Sequence, residues 1–64
     1  MDKELLFAEL QHCDKKILEF LQKYGDMLTI SKIPEAVWYF SRGEEIRNIL
    51  GEEEIERLFS AQFI

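Results

Sequence analysis

A single cysteine, a single histidine and a single proline stand in this chain of 64 residues. One cysteine excludes a disulfide framework and a cysteine-based zinc site, and one histidine leaves no second soft ligand for another metal cluster. No metal or cofactor is therefore expected. The chain is too short for a two-domain enzyme, a barrel or a dinucleotide-binding fold, so residues 1–64 read as one domain. No apolar run approaches the ~20 residues of a membrane span, and the charged start Asp2-Lys3-Glu4 is not that of a signal peptide. A soluble, cytoplasmic chain with no membrane partner is the expectation. Basic residues are scarce, 8 against 13 acidic for a net charge of −5. That balance disfavours direct DNA or RNA binding and an anionic membrane. Strand-like alternation, hairpin turn pairs, repeats and low-complexity tracts are all missing.

Apolar residues, by contrast, make up 47 % of the chain. A domain of about 60 residues buries only ~60 % of its unfolded surface, so it has little interior in which to hide them. Either the chain packs as a tight small bundle or part of its apolar surface meets another chain.

The pattern is helical throughout. Asp2 can cap a helix that runs without Gly or Pro as far as Gly25, a C-terminal stop. Along it Leu6, Leu10, Cys13, Ile17, Phe20 and Tyr24 recur at steps of four and three and form one seam, with Phe7, Leu18 and Leu21 on one flank. Asp26 to Lys32 reads as a connection, with Thr29 or Ser31 as the next cap. Pro34 falls in a first turn, where its missing N–H costs nothing. Ile33, Val37 and Phe40 then give the inward spacing of a short helix ending near Ser41. Ser41-Arg42-Gly43-Glu44 has the form of a capping box and so opens another, buried through Ile46, Ile49 and Leu50. Across Gly51 the pattern restarts as Ile55, Leu58 and Phe59. In one straight helix Ile46 and Ile55 would lie on opposite faces, so Gly51 reads as a hinge. The fold class is all-α: a small bundle of three to four helices, one long (about 2–24) and others near 33–41, 44–50 and 52–63. A first helix of ~33 Å would overhang a globule ~28 Å across and leave its seam to a second copy. A homodimer with Leu6, Leu10, Ile17 and Phe20 at the interface is therefore expected.

Chemistry-bearing groups are few. His12 and Cys13 are adjacent and point about 100° apart on a helix, so they form no dyad. No nucleophile–base pair or phosphate loop is present, and no enzymatic activity is expected. Glu52, Glu53, Glu54 and Glu56 follow the Gly51 break, where carboxylates complement the helix dipole; they also offer an acidic rim to a basic partner. The helix–Gly51–helix segment resembles a helix-turn-helix, which implies a second helix in the major groove. That helix would present Glu52, Glu53 and Glu56 to phosphates.

Trp38-Tyr39-Phe40 is the most suggestive run. Three consecutive aromatics span about 200° of a helix, so one packing face cannot bury them all. Trp, Tyr and Arg dominate interface energies, and Arg42 lies one turn beyond Trp38. The expected function is a small acidic protein-binding module, an inhibitor or regulatory subunit. It would use Trp38, Tyr39 and Arg42 as anchors and Glu52, Glu53 and Glu56 as charged rim. A helix-turn-helix-like regulator associated with nucleic acid and a self-assembling structural subunit are the alternatives. Phe63 and Ile64 would dock either on the core or on a partner.

Overall fold

The computed structural model describes residues 2–62. They form four helices in the order α1 (Lys3–Tyr24), α2 (Met27–Ile30), α3 (Pro34–Leu50) and α4 (Glu52–Ala61), with no strand among the described residues. The protein is an all-α bundle with one long N-terminal helix. The expected positions for Phe63 and Ile64 lie outside the described residues.

Local chemistry sets the ends of α1. The Asp2 carboxylate accepts from the backbone N–H groups of Glu4 (2.9 Å) and Leu5 (3.3 Å), satisfying donors the helix itself cannot. Gly25 closes the helix in the left-handed region at φ 90°, donating its N–H to the Leu21 carbonyl. The one-turn α2 is capped by Asp26, whose carboxylate accepts from the Thr29 N–H at 2.7 Å. The expected caps at Thr29 and Ser31 are not used as such: the Ser31 hydroxyl donates to the Leu28 carbonyl at 2.6 Å. Pro34 opens α3 as expected, behind Ile33, which offers no side-chain cap.

Two expected short helices prove to be one. Residues 34–50 run unbroken through Ser41-Arg42-Gly43-Glu44. A capping box contributes on the order of 1 kcal/mol, whereas a continuous α3 buries a whole face against α1. That face is made by Ala36, Gly43 and Ile46, all buried. Val37 and Ile49, expected inside, are 42 % and 44 % exposed. Small residues let the two helices come close: a Cβ at Gly43 would sit 3.7 Å from both the Cys13 Cβ and the Leu10 Cδ1. Phe7 and Leu10 cluster with Ile46 at one end, and Phe20 lies near Tyr39 at the other, so α1 and α3 are antiparallel. Helix α4 turns back at Gly51 and adds Leu58 to Phe7, Leu10 and Ile46, with Leu6, Leu50 and Ile55 packed around them.

Gly43 has helical backbone angles, since the positive-φ glycines are Gly25 and Gly51. Its 3.7 Å neighbours are at ordinary contact distance. Gly43→Ala should therefore stabilise the fold by about 0.5–1 kcal/mol through reduced backbone entropy in the unfolded chain. A thermal melt checks this; a lower Tm would mean that α1 has no room for the methyl group.

Candidate functional site

The molecule measures 34 × 23 × 16 Å, and a 22-residue helix of ~33 Å simply spans its long axis. The seam expected to serve a second copy is covered only in part from within, and Tyr24 at its end is 41 % exposed. Leu10 is 1 % exposed, and Leu6, Ile17 and Phe20 are half-buried against the chain's own helices. Leu10 in particular belongs to the core and is not available at an interface.

Two ion pairs brace α1 against α3. Arg42 donates to both Glu9 oxygens, Nε to Oε2 at 2.6 Å and Nη2 to Oε1 at 2.8 Å, and its Nη1 reaches Glu45 at 2.8 Å. Arg47 Nη2 lies 2.9 and 3.0 Å from the two Asp14 oxygens. Glu9 and Asp14, like Arg42 and Arg47, are five residues apart, a net rotation of about 140°. The two pairs therefore flank the apolar seam on opposite sides. Arg42, read from the sequence as an anchor held out to a partner, is engaged within the fold.

The aromatic run divides as its helical phase requires. Tyr39 is half-buried, with its ring 6.0 Å from His12 and 6.5 Å from Phe20, and Phe20 stacks on Tyr24 at 6.1 Å. Phe40 is half-buried on the other flank of α3. Trp38 is 58 % exposed and meets Tyr39 edge-on, centroids 5.2 Å apart at 85°. Trp38 thus rests on the Tyr39 ring, which in turn lies near His12 and Phe20 of α1. His12 is exposed and Cys13 is buried, the separation expected for adjacent helical positions. Burial pushes the Cys13 thiol up from its ordinary value, and Glu9 and Asp14 add to this, so it is no reactive thiolate.

The acidic residues are at the far end of α3. Trp38 and Gly51 are thirteen residues apart, ~20 Å along the axis, so the aromatic and acidic groups do not form one site. Glu52 and Glu56 line a hollow of about 490 Å³ together with Arg47, Asn48, Ile55 and Phe59. Glu53 is exposed outside it, and Glu54 is held by Arg57 and Lys3. Phe59, 41 % exposed, also packs edge-on against Phe7 at 4.9 Å. The apolar pattern places Phe59 in the core; its surface role goes beyond that expectation, and its position one residue past Leu58, on the edge of the apolar arc, is the available signal. Among the described residues no group of three His, Cys, Asp or Glu could hold a metal ion, and no helix is long and apolar enough to cross a membrane.

Hydrogen bonds from Arg42 hold the Glu9 carboxyl below its ordinary value of 4.5. A carboxyl with a lowered folded-state pKa contributes stability above the ordinary carboxylate range, and loses it as pH falls through the folded value. The Tm should therefore drop between about pH 6 and pH 3, and Arg42→Met should flatten part of that fall. The remainder persists because Asp26, held down by the Thr29 N–H, and Glu54, held down by Arg57, titrate in the same sense. Since Glu9 and Arg42 are partly solvated, the effect is a modest one. Equal acid slopes for the two proteins would remove the pair from the account.

Comparison with protein-family models, curated proteins and solved structures found no match.

Proposed function

We propose that this protein is a non-enzymatic protein-binding module, acting as an inhibitor or regulatory subunit, with Trp38 as its principal anchor. The supporting observation is the exposed indole packed edge-on against Tyr39, whose own ring is backed by Phe20. A large aromatic held against a neighbouring ring gives contact area at little ordering cost on binding. Tyr39 assists from below, and Arg42 contributes by bracing α3 against α1 through Glu9 rather than by reaching outward. The helix-turn-helix alternative is less well supported. Helix α4 carries Glu52, Glu53 and Glu54 in its first turn, and the cation beyond them, Arg57, is paired with Glu54.

Trp38→Ala is the test. The side chain leaves no core cavity when removed, so the helical circular dichroism signal and Tm should change little, within about 0.5 kcal/mol. Partner affinity should fall by about 2 kcal/mol, roughly thirtyfold. Capture from an extract of the native cell, wild type beside Trp38→Ala, should show a bound protein lost with the indole. A variant that unfolds, or that retains every captured protein, would return Trp38 to a packing role.

A further inference from the structure

We propose that the groove on the far side of α3 from Trp38 docks one amphipathic helix with a basic flank, supplied by a protein partner. The proposal rests on the reading of this chain as an interaction module but not on Trp38. The hollow lined by Glu52, Ile55, Glu56 and Phe59 is followed along α3 by a second of about 450 Å³, lined by Ile17, Phe40 and Glu44. Arg47 lines both. Phe40 and Trp38 are two residues apart, about 160° around the helix, so the groove and the indole face opposite ways. From Phe40 to Asn48 it follows α3 for ~12 Å, the length over which a docked helix presents anchors at i, i+3 or i+4, and i+7.

Charge selects the occupant. Asp14 cancels Arg47, with oxygens 2.9 and 3.0 Å from Nη2. Among the described residues Glu44, Glu52 and Glu56 make no ion pair, and all three are exposed on the rim. Ile17, Phe40 and Ile55 are half-buried beneath them and Phe59 is partly open. An apolar floor between unpartnered carboxylates matches a helix with an apolar stripe flanked by Lys or Arg.

The probe is a blocked synthetic helix of about four turns, with Leu at helical spacing and Lys elsewhere, beside a counterpart bearing Glu for Lys. Titrated into isotope-labelled protein, the Lys peptide should shift the amides of Arg47, Asn48, Ile55 and Glu56 saturably, and the Glu peptide should not. The double variant Glu52→Gln/Glu56→Gln should weaken binding roughly fivefold or more at low salt, and less as salt is raised. Glu19→Gln/Glu35→Gln removes the same charge beside the separate hollow of Lys16, Phe20 and Lys23, and should leave affinity unchanged. Equal losses from both double variants, shifts gathered around Trp38 and Phe20, or equal binding of the Glu peptide would overturn the proposal. So would dilution-dependent shifts of the groove amides without peptide, which would assign the face to a second copy. Trp38→Ala should not alter the peptide affinity, which separates failure of the groove from failure of the indole as an anchor.

Discussion

Leu10→Ala should cost 2–5 kcal/mol, about as much stability as a domain of this size has to lose. Leu10 is 1 % exposed and lies in the cluster where α1, α3 and α4 meet, among Phe7, Ile46 and Leu58. Truncation removes three carbons from that junction, and the surroundings cannot collapse freely. Phe7 is held edge-on by Phe59, and across from Leu10 α3 presents Gly43, which has no side chain to fill the space. A cavity term therefore adds to the lost transfer free energy. In urea at 25 °C the midpoint should move to near zero denaturant, with a substantial unfolded fraction in buffer alone. Leu10→Met, which conserves volume, should stay within about 1.5 kcal/mol of wild type. Leu5→Ala, at a position 69 % exposed on the same helix, should stay within about 0.5 kcal/mol. A cost below about 1 kcal/mol for Leu10→Ala would show that the junction is not the core.

The sequence was most legible where chemistry acts on its immediate neighbours. Asp2 and Gly25 bound α1 because a carboxylate two or three residues from orphan N–H groups, and a glycine at a left-handed stop, need no tertiary partner. Gly51 was legible because the apolar phase changes across it. The inward face of α3 was misread for a physical reason. A search for large apolar residues selects Val37 and Ile49 and passes over Ala36 and Gly43, seven residues apart and on one face. Here close approach of two helices, through residues with little or no side chain, decides which face is buried. The continuity of α3 through a capping-box pattern has the same origin: tertiary burial outweighs a local alternative of about 1 kcal/mol.

The surface was legible only in part. That Trp38, Tyr39 and Phe40 could not all be buried follows from their spacing alone. Which of them stands out follows once Ala36 and Gly43 define the inward direction, since Trp38 then points nearly opposite. The engagement of Arg42 by Glu9 and of Arg47 by Asp14 joins residues 33 apart in sequence. No local pattern marks such a pair. The proposed groove depends on the same long-range geometry, because the hollows lined by Phe40 and by Phe59 share Arg47 only after the chain reverses at Gly51.

That reversal carries the second large expected effect. Gly51→Ala should destabilise the protein by about 1–3 kcal/mol, a Tm drop on the order of 10 °C for a domain this small. Gly51 sits at φ 82° and ψ 155°, a region essentially closed to L side chains. Nothing lies within 4 Å of where its Cβ would stand, so the penalty is one of backbone conformation and not of collision. The residue also serves both helices. Its N–H donates to the Arg47 carbonyl at 2.8 Å and its carbonyl accepts from the Ile55 N–H at 3.1 Å. An alanine cannot escape the strain by becoming helical, because a straight helix would place Ile46 and Ile55 on opposite faces and withdraw Leu58 from the core. The chain is short enough for total chemical synthesis, and D-alanine at this position separates strain from other causes. A D residue accepts positive φ, so the D-Ala protein should melt close to wild type while the L-Ala protein melts well below it. Gly25→Ala, in the left-handed region at ψ −28°, should cost less, about 1 kcal/mol, because only the end of α1 depends on it. If Gly51→Ala instead raised the Tm, α3 and α4 would be one helix, and the junction at Leu10 would have to be closed by something other than Leu58.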